Sequence, residues 1–217
     1  MQSINEKLKT ENIRKLLSAN DDVYTTIKKG ARVYRIQEAK HKEHIFYNAH
    51  SEGRYADPHK KIGTIYVAGS SAAAVCECFQ FGEYNDYSPI AISLIEKSSF
   101  FELEIVRDIR LVDAGALACL AHIPLSEIVR KKGSHAEGYK ITQRLSGAIM
   151  RAGLDVDGII YPSRAYPKTD ITGNCIVFFD GRGEQLREVL NCPLSDADIC
   201  NGKTAAEFLT DRGVPLE

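Results

Sequence analysis

Periodic and alternating apolar positions divide the start of the chain into a helix, a strand and a long polar segment. Residues 4–18 predict a helix with an imperfect apolar stripe, formed by Ile4, Leu8, Ile13, Leu16 and Leu17. ARVYRIQ (31–37) alternates apolar and polar residues and predicts a strand. Residues 39–61 are polar and rich in His and Lys, which indicates a long loop, and loops of this length in compact domains are often functional.

A short strand and an alanine-rich helix follow this loop. GTIYVAG (63–69) is apolar and bounded by glycines, which is typical of a buried strand. The next residues, AAAVCECFQF (72–81), predict a helix that either Ser70 or Ser71 can cap.

The middle of the chain predicts two strands and then short helices. PIAISLIE (89–96) and FFELEIV (100–106) are both strand-like, and the polar turn between them favours an antiparallel pair. Residues 117–132 have a helical pattern that Pro124 interrupts, so short helices are expected there.

The last third contains the clearest helical pattern and two buried strands. GYKITQRLSGAIMRAG (138–153) predicts a helix with a buried stripe of Ile141, Leu145, Ala148, Ile149 and Ala152. GIIYPS (158–163) and NCIVFF (174–179) are continuous apolar runs of strand length. Thr204 and Glu207 have capping-box spacing and predict the start of a final short helix.

Helices and strands do not alternate regularly along the chain, and this irregularity determines the expected fold class. A doubly wound parallel sheet requires regular alternation, so a mixed α+β domain is predicted instead. The chain has 217 residues, which favours one domain with a core of ordinary size. The pattern contains no internal repeat and no low-complexity segment.

Composition and charge exclude several classes of function. The net charge of −1 and the pI of about 6.6 give no global basic field, so direct nucleic-acid binding is not expected. No apolar run reaches the roughly 20 residues that a membrane span needs, and the charged N-terminus lacks a signal core. A cytoplasmic protein is therefore expected. Its six cysteines, at positions 76, 78, 119, 175, 192 and 200, are expected to be reduced thiols without a bound metal.

Searches for nucleotide-binding and hydrolase motifs are negative. The chain contains no G-x-x-x-x-G-K-[ST], no H-E-x-x-H and no G-x-S-x-G. Its six histidines show no zinc spacing, and the four between residues 41 and 59 are interpreted as part of a solvated polar loop. No common motif therefore accounts for a catalytic activity.

Glu77 has an unusual environment for a helical carboxylate. It is the only charged residue between Lys61 and Glu83. Its helical neighbours are small or apolar, and no Lys or Arg lies three or four residues away to pair with it. Such a carboxylate either reaches water at the helix surface or lies in a cleft, and the sequence leaves both possibilities open.

Five short motifs in order give the chain a resemblance to the RES domain family. These motifs are VYRI, GRY, IYVAGSSAAAVCE, DGIIYPSR and TGNCIVFF, and together they extend from about residue 31 to residue 180. The resemblance implies an ADP-ribosyltransferase-like fold, with a split, mostly antiparallel sheet and surrounding helices. It also implies a catalytic domain at 31–180, an N-terminal helical extension at 1–30, and a C-terminal extension at 181–217 packed on that domain.

The resemblance also implies an activity, because family members degrade NAD at the nicotinamide–ribose bond by hydrolysis or phosphorolysis. Some members instead transfer ADP-ribose to a protein. Many are toxins that are paired with an Xre-like antitoxin protein. NAD is thus the expected substrate and inorganic phosphate an optional co-substrate, with no further cofactor and no metal. A homodimer is one option for the oligomeric state.

The family pattern assigns roles to residues of the five motifs. Glu77, Arg54 and Ser163 are the expected catalytic residues. A carboxylate can stabilise positive charge on the ribose, and arginine binds phosphate oxygens through its planar fork. An aromatic ring can stack on a flat base, a role that suits Tyr34 or Tyr66. The remaining expected NAD-binding residues, alongside Arg54 and Ser163, are Arg35, Gly53, Tyr55 and Asn174.

Two other classes of protein remain open at this point. A non-catalytic module could keep the fold and bind a nucleotide or a partner protein. An unrelated α+β enzyme could also match the motifs by chance. The presence of Arg35, Arg54, Tyr66, Glu77 and Ser163 together favours an enzyme.

Overall fold

The computed structural model describes residues 3–80, 89–128 and 139–217, with only the backbone described at Gln80. Within these ranges the chain forms a mixed α+β fold. The strands are β1 (Tyr24–Ile27), β2 (Arg32–Glu38), β3 (Thr64–Ala68), β4 (Ser98–Ile105), β5 (Ile109–Asp113), β6 (Gly158–Pro162), β7 (Asn174–Phe179) and β8 (Leu186–Pro193). The helices are α1 (Ile4–Lys7), α2 (Thr10–Ala19), α3 (Ser71–Val75), α4 (Ile92–Glu96), α5 (Ala114–Leu120), α6 (Leu125–Ile128), α7 (Lys140–Met150) and α8 (Ala205–Asp211).

All eight of these strands belong to one sheet in the order β1-β5-β6-β7-β3-β2-β4-β8. Only the β5–β6 pair is parallel, and the other neighbouring strands in this order are antiparallel. The expected α+β class and mostly antiparallel sheet are therefore confirmed.

Alternating side chains place two different cores on the two faces of the sheet. On β6, Ile159 and Tyr161 face a core that helices α2, α5 and α7 cover, whereas Ile160 faces the other side. The buried members of the second core come from all eight strands and from no helix, so the sheet curls around it. A third cluster packs α3, α4 and α8 against the β2–β4 end of the same face as the first.

The sheet is split between β2 and β3. These two strands are paired at a single register position, Tyr34 with Ala68, whereas β2 and β4 pair along seven positions. In place of a longer ladder, the guanidinium of Arg35 donates a 3.1 Å hydrogen bond to the backbone carbonyl of Tyr66. Beyond Tyr34 and Ala68 the two strands diverge, and polar side chains occupy the opening.

Helix α3 follows β3 directly and continues as one π-helical turn, Cys76–Gln80. Of the two serines expected as caps, Ser70 is the one whose hydroxyl accepts a hydrogen bond from Ala73 N. The small side chains of Ala73 and Ala74 pack beside Tyr34 of β2, which brings the helix close to the split. The π turn that contains Glu77 therefore begins close to β2.

Several expectations from the sequence are wrong in detail. PIAISLIE was expected to form a strand paired with FFELEIV, but its centre is helix α4, and FFELEIV lies in β4 between β2 and β8. The single helix expected at 4–18 is divided into α1 and α2 at Leu8. Three strands, β1, β5 and β8, were not predicted. The expected features at residues 81, 129–132 and 138 lie outside the described residues.

Other expectations are confirmed. Strands β2, β3, β6 and β7 and helix α7 lie where the sequence patterns place them. Thr204 and Glu207 form the predicted capping box at the start of α8. Among the described residues, no helix combines the length and the apolar character that crossing a membrane requires.

Candidate active site

Glu77 is held by the end of strand β6. Its Oε1 accepts a 2.6 Å hydrogen bond from the hydroxyl of Ser163 and a 3.2 Å hydrogen bond from the backbone N–H of Arg164. Its other oxygen, Oε2, has no hydrogen-bond partner among the described residues. The side chain is half-buried, so one oxygen is fixed to the protein and the other remains free to face a ligand.

The hydroxyl of Ser163 has no bonding capacity left for a ligand. It accepts hydrogen bonds from the backbone N–H groups of Ala165 (3.2 Å) and Tyr166 (2.9 Å). A serine hydroxyl has one proton and two lone pairs, so these two acceptances direct the proton to Glu77. In this structure Ser163 orients the carboxylate, and its expected roles in catalysis and in NAD binding stay predictions.

Tyr161 lies at the centre of the expected site residues. It precedes Ser163, the first residue after β6, by two positions, so both side chains point to the same face of the sheet. Burial raises the pKa of Tyr161 well above its ordinary value; Cys175, Glu77 and Tyr66 raise it further, and Arg54 partly offsets the shift. Glu77 and Arg54 come from different segments, yet both lie close enough to Tyr161 to shift the pKa of its buried hydroxyl.

Arg54 stacks among tyrosines. Its guanidinium carbon lies 5.3 Å from the ring centre of Tyr139 and 5.8 Å from that of Tyr161, within cation–π range. Burial disfavours its charge, but Tyr161, Tyr139 and Tyr55 together outweigh this effect and raise the pKa of Arg54. The arginine is consequently a fixed positive charge beside the strand end that holds Glu77.

Arg35 is a second fixed cation, in the split between β2 and β3. Besides the carbonyl of Tyr66, its guanidinium donates to Oε1 of Gln37 at 3.2 and 3.3 Å. Both acceptors are neutral, and no carboxylate pairs with Arg35 in the described part of the chain. Burial lowers the pKa of Arg35, which Cys78 offsets in part. A partly desolvated cation without a countercharge is suited to receive an anion.

A cavity of about 500 Å³ opens at this split. Its walls come from β2, from β3 and from the loop that joins them. The lining residues are Arg35, Gln37, Lys40, His41, Lys42, Glu43, Phe46, Asn48, Ser51, Thr64 and Tyr66. Three further basic side chains thus surround the same space as Arg35. Glu77, Arg54 and Ser163 do not line this cavity, so the expected site residues form two neighbouring groups.

The remaining residues of the GRY motif form a packed unit with Tyr66. The Tyr66 hydroxyl accepts a 3.1 Å hydrogen bond from the backbone N–H of Tyr55. A Cβ on Gly53 would come within 2.4 Å of the Tyr66 hydroxyl oxygen, so only glycine fits there. Tyr55 is fully buried, and its ring packs on that of Tyr161 at 4.7 Å between centroids. Gly53 and Tyr55 therefore pack against Tyr66 and hold it in place, and Tyr66 in turn lines the cavity.

Tyr34 and Asn174 border the site in different ways. The half-buried ring of Tyr34 stacks on Phe100 at 5.9 Å, on the opposite face of β2 from Arg35. Asn174 begins β7 beside Pro162 of β6, and its carbonyl accepts a hydrogen bond from Gly69 N at 2.9 Å. Their expected roles in NAD binding stay predictions.

Sequence reasoning did not identify several residues of this site. Tyr161 and Tyr139 flank Arg54, Gln37 holds Arg35, and the ring of Phe46 is 51% exposed at the cavity. A signal existed for Tyr161, because its spacing of two from Ser163 on a strand places both on one face. The same spacing relates Gln37 to Arg35 on β2, whereas no such pattern relates Tyr139 or Phe46 to the site.

The chain resembles known proteins in its family and in its fold. A family model described as the RES domain matches residues 32–196. No curated protein matches the chain significantly. The chain is similar to MbcT in the crystal structure of the M. tuberculosis MbcT–MbcA toxin–antitoxin complex, with a TM-score of 0.63 and 17% identity over 97% of this chain and 100% of that chain. At this identity the likeness shows a shared fold, and the family match shows that the chain belongs to the RES domain family.

Proposed function

We propose that the protein is a toxin that consumes NAD by cleaving its nicotinamide–ribose bond, with water or inorganic phosphate as the acceptor. The observation that carries this proposal is the half-buried carboxylate of Glu77. Ser163 and the Arg164 N–H fix one of its oxygens, and the other has no partner among the described residues. A carboxylate oriented in this way can stabilise positive charge that develops on a bound molecule.

The chemistry of NAD explains why the reaction needs a carboxylate but no general acid to protonate the leaving group. When the bond between the ribose C1′ and the nicotinamide nitrogen breaks, its electron pair remains on that nitrogen and neutralises the positive charge of the ring. Nicotinamide therefore leaves without a proton, and the ribose becomes oxocarbenium-like. A carboxylate beside C1′ stabilises this cation, and the oxygen of water or phosphate then forms the new bond, with water releasing one proton.

The cations of the site support binding of a pyrophosphate. Arg35 carries its charge in the split with neutral acceptors only, and the cavity before it is also lined by Lys42 and by Lys40, which pairs with Glu38. A planar guanidinium can bind two phosphate oxygens at once, and neutral acceptors leave its charge available. Arg54, fixed between tyrosine rings, is a second candidate for a phosphate.

The assignment as a toxin follows the family and the structural relative. MbcT is the toxin of a toxin–antitoxin complex, and its fold covers almost all of this chain. By analogy, we expect an antitoxin protein, of the Xre-like kind seen in the family, to neutralise this chain. If so, the enzyme acts in the cytoplasm of the bacterium that makes it or of a target cell.

Nicotinamide release is the direct test. The purified protein would be incubated with NAD, with and without phosphate, beside a Glu77→Gln variant and a Glu96→Gln control. Glu96 is an exposed carboxylate at the end of α4, away from the site. We expect release by the wild type and by Glu96→Gln, and a loss of about 10²- to 10³-fold in Glu77→Gln. Product mass would separate ADP-ribose from its 1″-phosphate.

The alternatives predict other results. A protein ADP-ribosyltransferase would release little nicotinamide alone but would transfer label from NAD to a protein in a cell extract. A non-catalytic module would do neither, although it could bind NAD. Equal release by the wild type and Glu77→Gln would contradict the role of Glu77.

A further inference from the structure

Helix α8 contacts the segment that orients Glu77, although it lies beyond the family match at residues 32–196. Arg212 caps the C-terminal end of this helix. Its guanidinium donates a 3.3 Å hydrogen bond to the carbonyl of Ala165. The guanidinium carbon also lies 5.3 Å from the ring centre of Tyr166 and 5.7 Å from that of Phe208. Arg212 thus contacts both the backbone and an aromatic ring of the turn after β6.

This turn determines where the Ser163 hydroxyl points. The backbone N–H groups of Ala165 and Tyr166 donate to Ser163 Oγ, and their donation directs the Ser163 proton to Oε1 of Glu77. Arg212 holds the same two residues from the other side, through the Ala165 carbonyl and the Tyr166 ring. A continuous chain of contacts therefore runs from α8 to the carboxylate.

We propose that Arg212 is a positioning residue for Glu77, and that the C-terminal helix is thereby part of the catalytic apparatus. Its effect on activity rests on the proposed function, whereas its effect on the turn does not. Arginine suits the position because its flat guanidinium can lie against a ring while its edge donates to a carbonyl. Lysine offers a point charge and can reproduce only part of this contact.

The end of the chain is anchored in a way that fixes α8. Ile90 N donates to the carbonyl of Pro215 at 2.9 Å, and Glu217 N donates to the carbonyl of Ile90 at 3.0 Å. Phe208 and Leu209 of α8 are buried in the cluster that also contains Ala72 and Cys76, next to Glu77. The helix is consequently held against both the α3 side and the β6 side of the site.

Hydrogen exchange of the Ala165 and Tyr166 amides tests the structural step without reference to activity. The variants are Arg212→Gln and Arg212→Lys, with Lys203→Gln as the matched control. Lys203 pairs with Asp211 on the same helix but does not contact the turn. We expect faster exchange of both amides in Arg212→Gln, an intermediate rate in Arg212→Lys and no change in Lys203→Gln.

Kinetics test the consequence for Glu77. We expect kcat of Arg212→Gln to fall about tenfold with KM nearly unchanged, and Arg212→Lys to recover part of the loss. A loss through general destabilisation would lower Tm and appear in Lys203→Gln as well. If the wild type releases no nicotinamide, the proposed function fails, but the exchange rates still decide the structural step. Unchanged amide exchange in folded Arg212→Gln and Arg212→Lys would overturn the inference.

Discussion

Ser163 donates a 2.6 Å hydrogen bond to Oε1 of Glu77 across 86 positions of the sequence. The contact joins the residue that follows β6 to the π turn after α3, and this turn contains the expected catalytic carboxylate. Since two backbone N–H groups occupy the lone pairs of the hydroxyl, the serine has one available geometry. The carboxylate is thus oriented before any substrate binds.

Replacing Ser163 should impair turnover more than binding. In Ser163→Ala, Glu77 loses its shortest hydrogen bond and can rotate away, so we expect kcat for nicotinamide release to fall about 10²-fold with KM within about threefold. The matched control is Ser98→Ala, which removes a buried hydroxyl that donates to the Leu94 carbonyl at 2.7 Å, remote from the site. A Ser163→Ala enzyme with wild-type kcat would show that Glu77 does not need this orientation.

We expect Arg35 to contribute to substrate binding but to add nothing net to the free energy of unfolding. Its charge is partly desolvated and has only neutral partners, and its pKa is lowered by burial. In Arg35→Met, which keeps the aliphatic volume, we expect the Kd for NAD to rise about 10²-fold. The free energy of unfolding should change by less than about 1 kcal/mol, because removal of an uncompensated charge offsets the loss of the hydrogen bonds to Tyr66 and Gln37.

The neighbouring Arg32 provides the contrast. It is exposed on the same strand and pairs with Glu102 at 3.3 Å and Glu104 at 2.8 Å. Arg32→Gln should leave NAD binding unchanged and lower the free energy of unfolding by less than about 1 kcal/mol. Calorimetric titration and urea denaturation measure both quantities. Tight NAD binding by Arg35→Met would exclude Arg35 from the site.

Sequence patterns were sufficient where one face of an element repeats regularly. The alternation in β2, the glycine-bounded apolar run of β3 and the stripe of α7 placed these elements correctly, and the irregular order of helices and strands indicated the α+β class. PIAISLIE misled because a short apolar run suits a strand and a buried helix equally. Strand β8 was missed because most of its residues are exposed at the sheet edge, which leaves no apolar alternation to detect.

The sequence supplied candidate residues for the site but not their arrangement. Nothing in the sequence shows that Ser163 donates its hydrogen bond to Glu77, since this depends on the turn at Ala165 and Tyr166. The role of Arg212 depends on how the C-terminal helix returns to the site. The neutral surroundings of Arg35 follow from a split in the sheet, which is a property of strand pairing and not of local sequence.

Gly53 should be intolerant of any side chain. A Cβ would lie 2.4 Å from the Tyr66 hydroxyl oxygen, so Tyr66 would have to move and lose the hydrogen bond from Tyr55 N. We expect Gly53→Ala to lower the free energy of unfolding by about 1–3 kcal/mol and to weaken NAD binding. Gly115→Ala is the control, because its Cβ would meet only Asp113 Oδ1 at 3.2 Å, a contact that a shift of a few tenths of an ångström relieves. Similar losses in both variants would point to a general cost of alanine.

Asp57 should make stability depend on pH in the acid range. Its buried carboxylate accepts hydrogen bonds from the backbone N–H groups of His59 (3.0 Å), Lys61 (3.0 Å) and Ile62 (3.1 Å) and from Arg151. Burial alone would raise the pKa of Asp57, but Arg151 and the three N–H groups outweigh it and lower the pKa from 3.8 to about 2. The loop that carries Gly53, Arg54 and Tyr55 is thereby fixed to α7.

The direction of the effect follows from this lowered pKa. A carboxyl with a depressed folded-state pKa stabilises the protein above its unfolded pKa of 3.8, by about 2 kcal/mol here, and the contribution is lost as the pH falls toward 2. Asp57→Asn should therefore lower the free energy of unfolding at pH 7 by about 2–4 kcal/mol and flatten its decline between pH 4 and pH 2. Asp108→Asn, which removes an exposed partner of Lys28, should leave it nearly unchanged. Urea denaturation at several pH values measures both variants, and an unaltered acid slope in Asp57→Asn would mean that other carboxyl groups cause the decline.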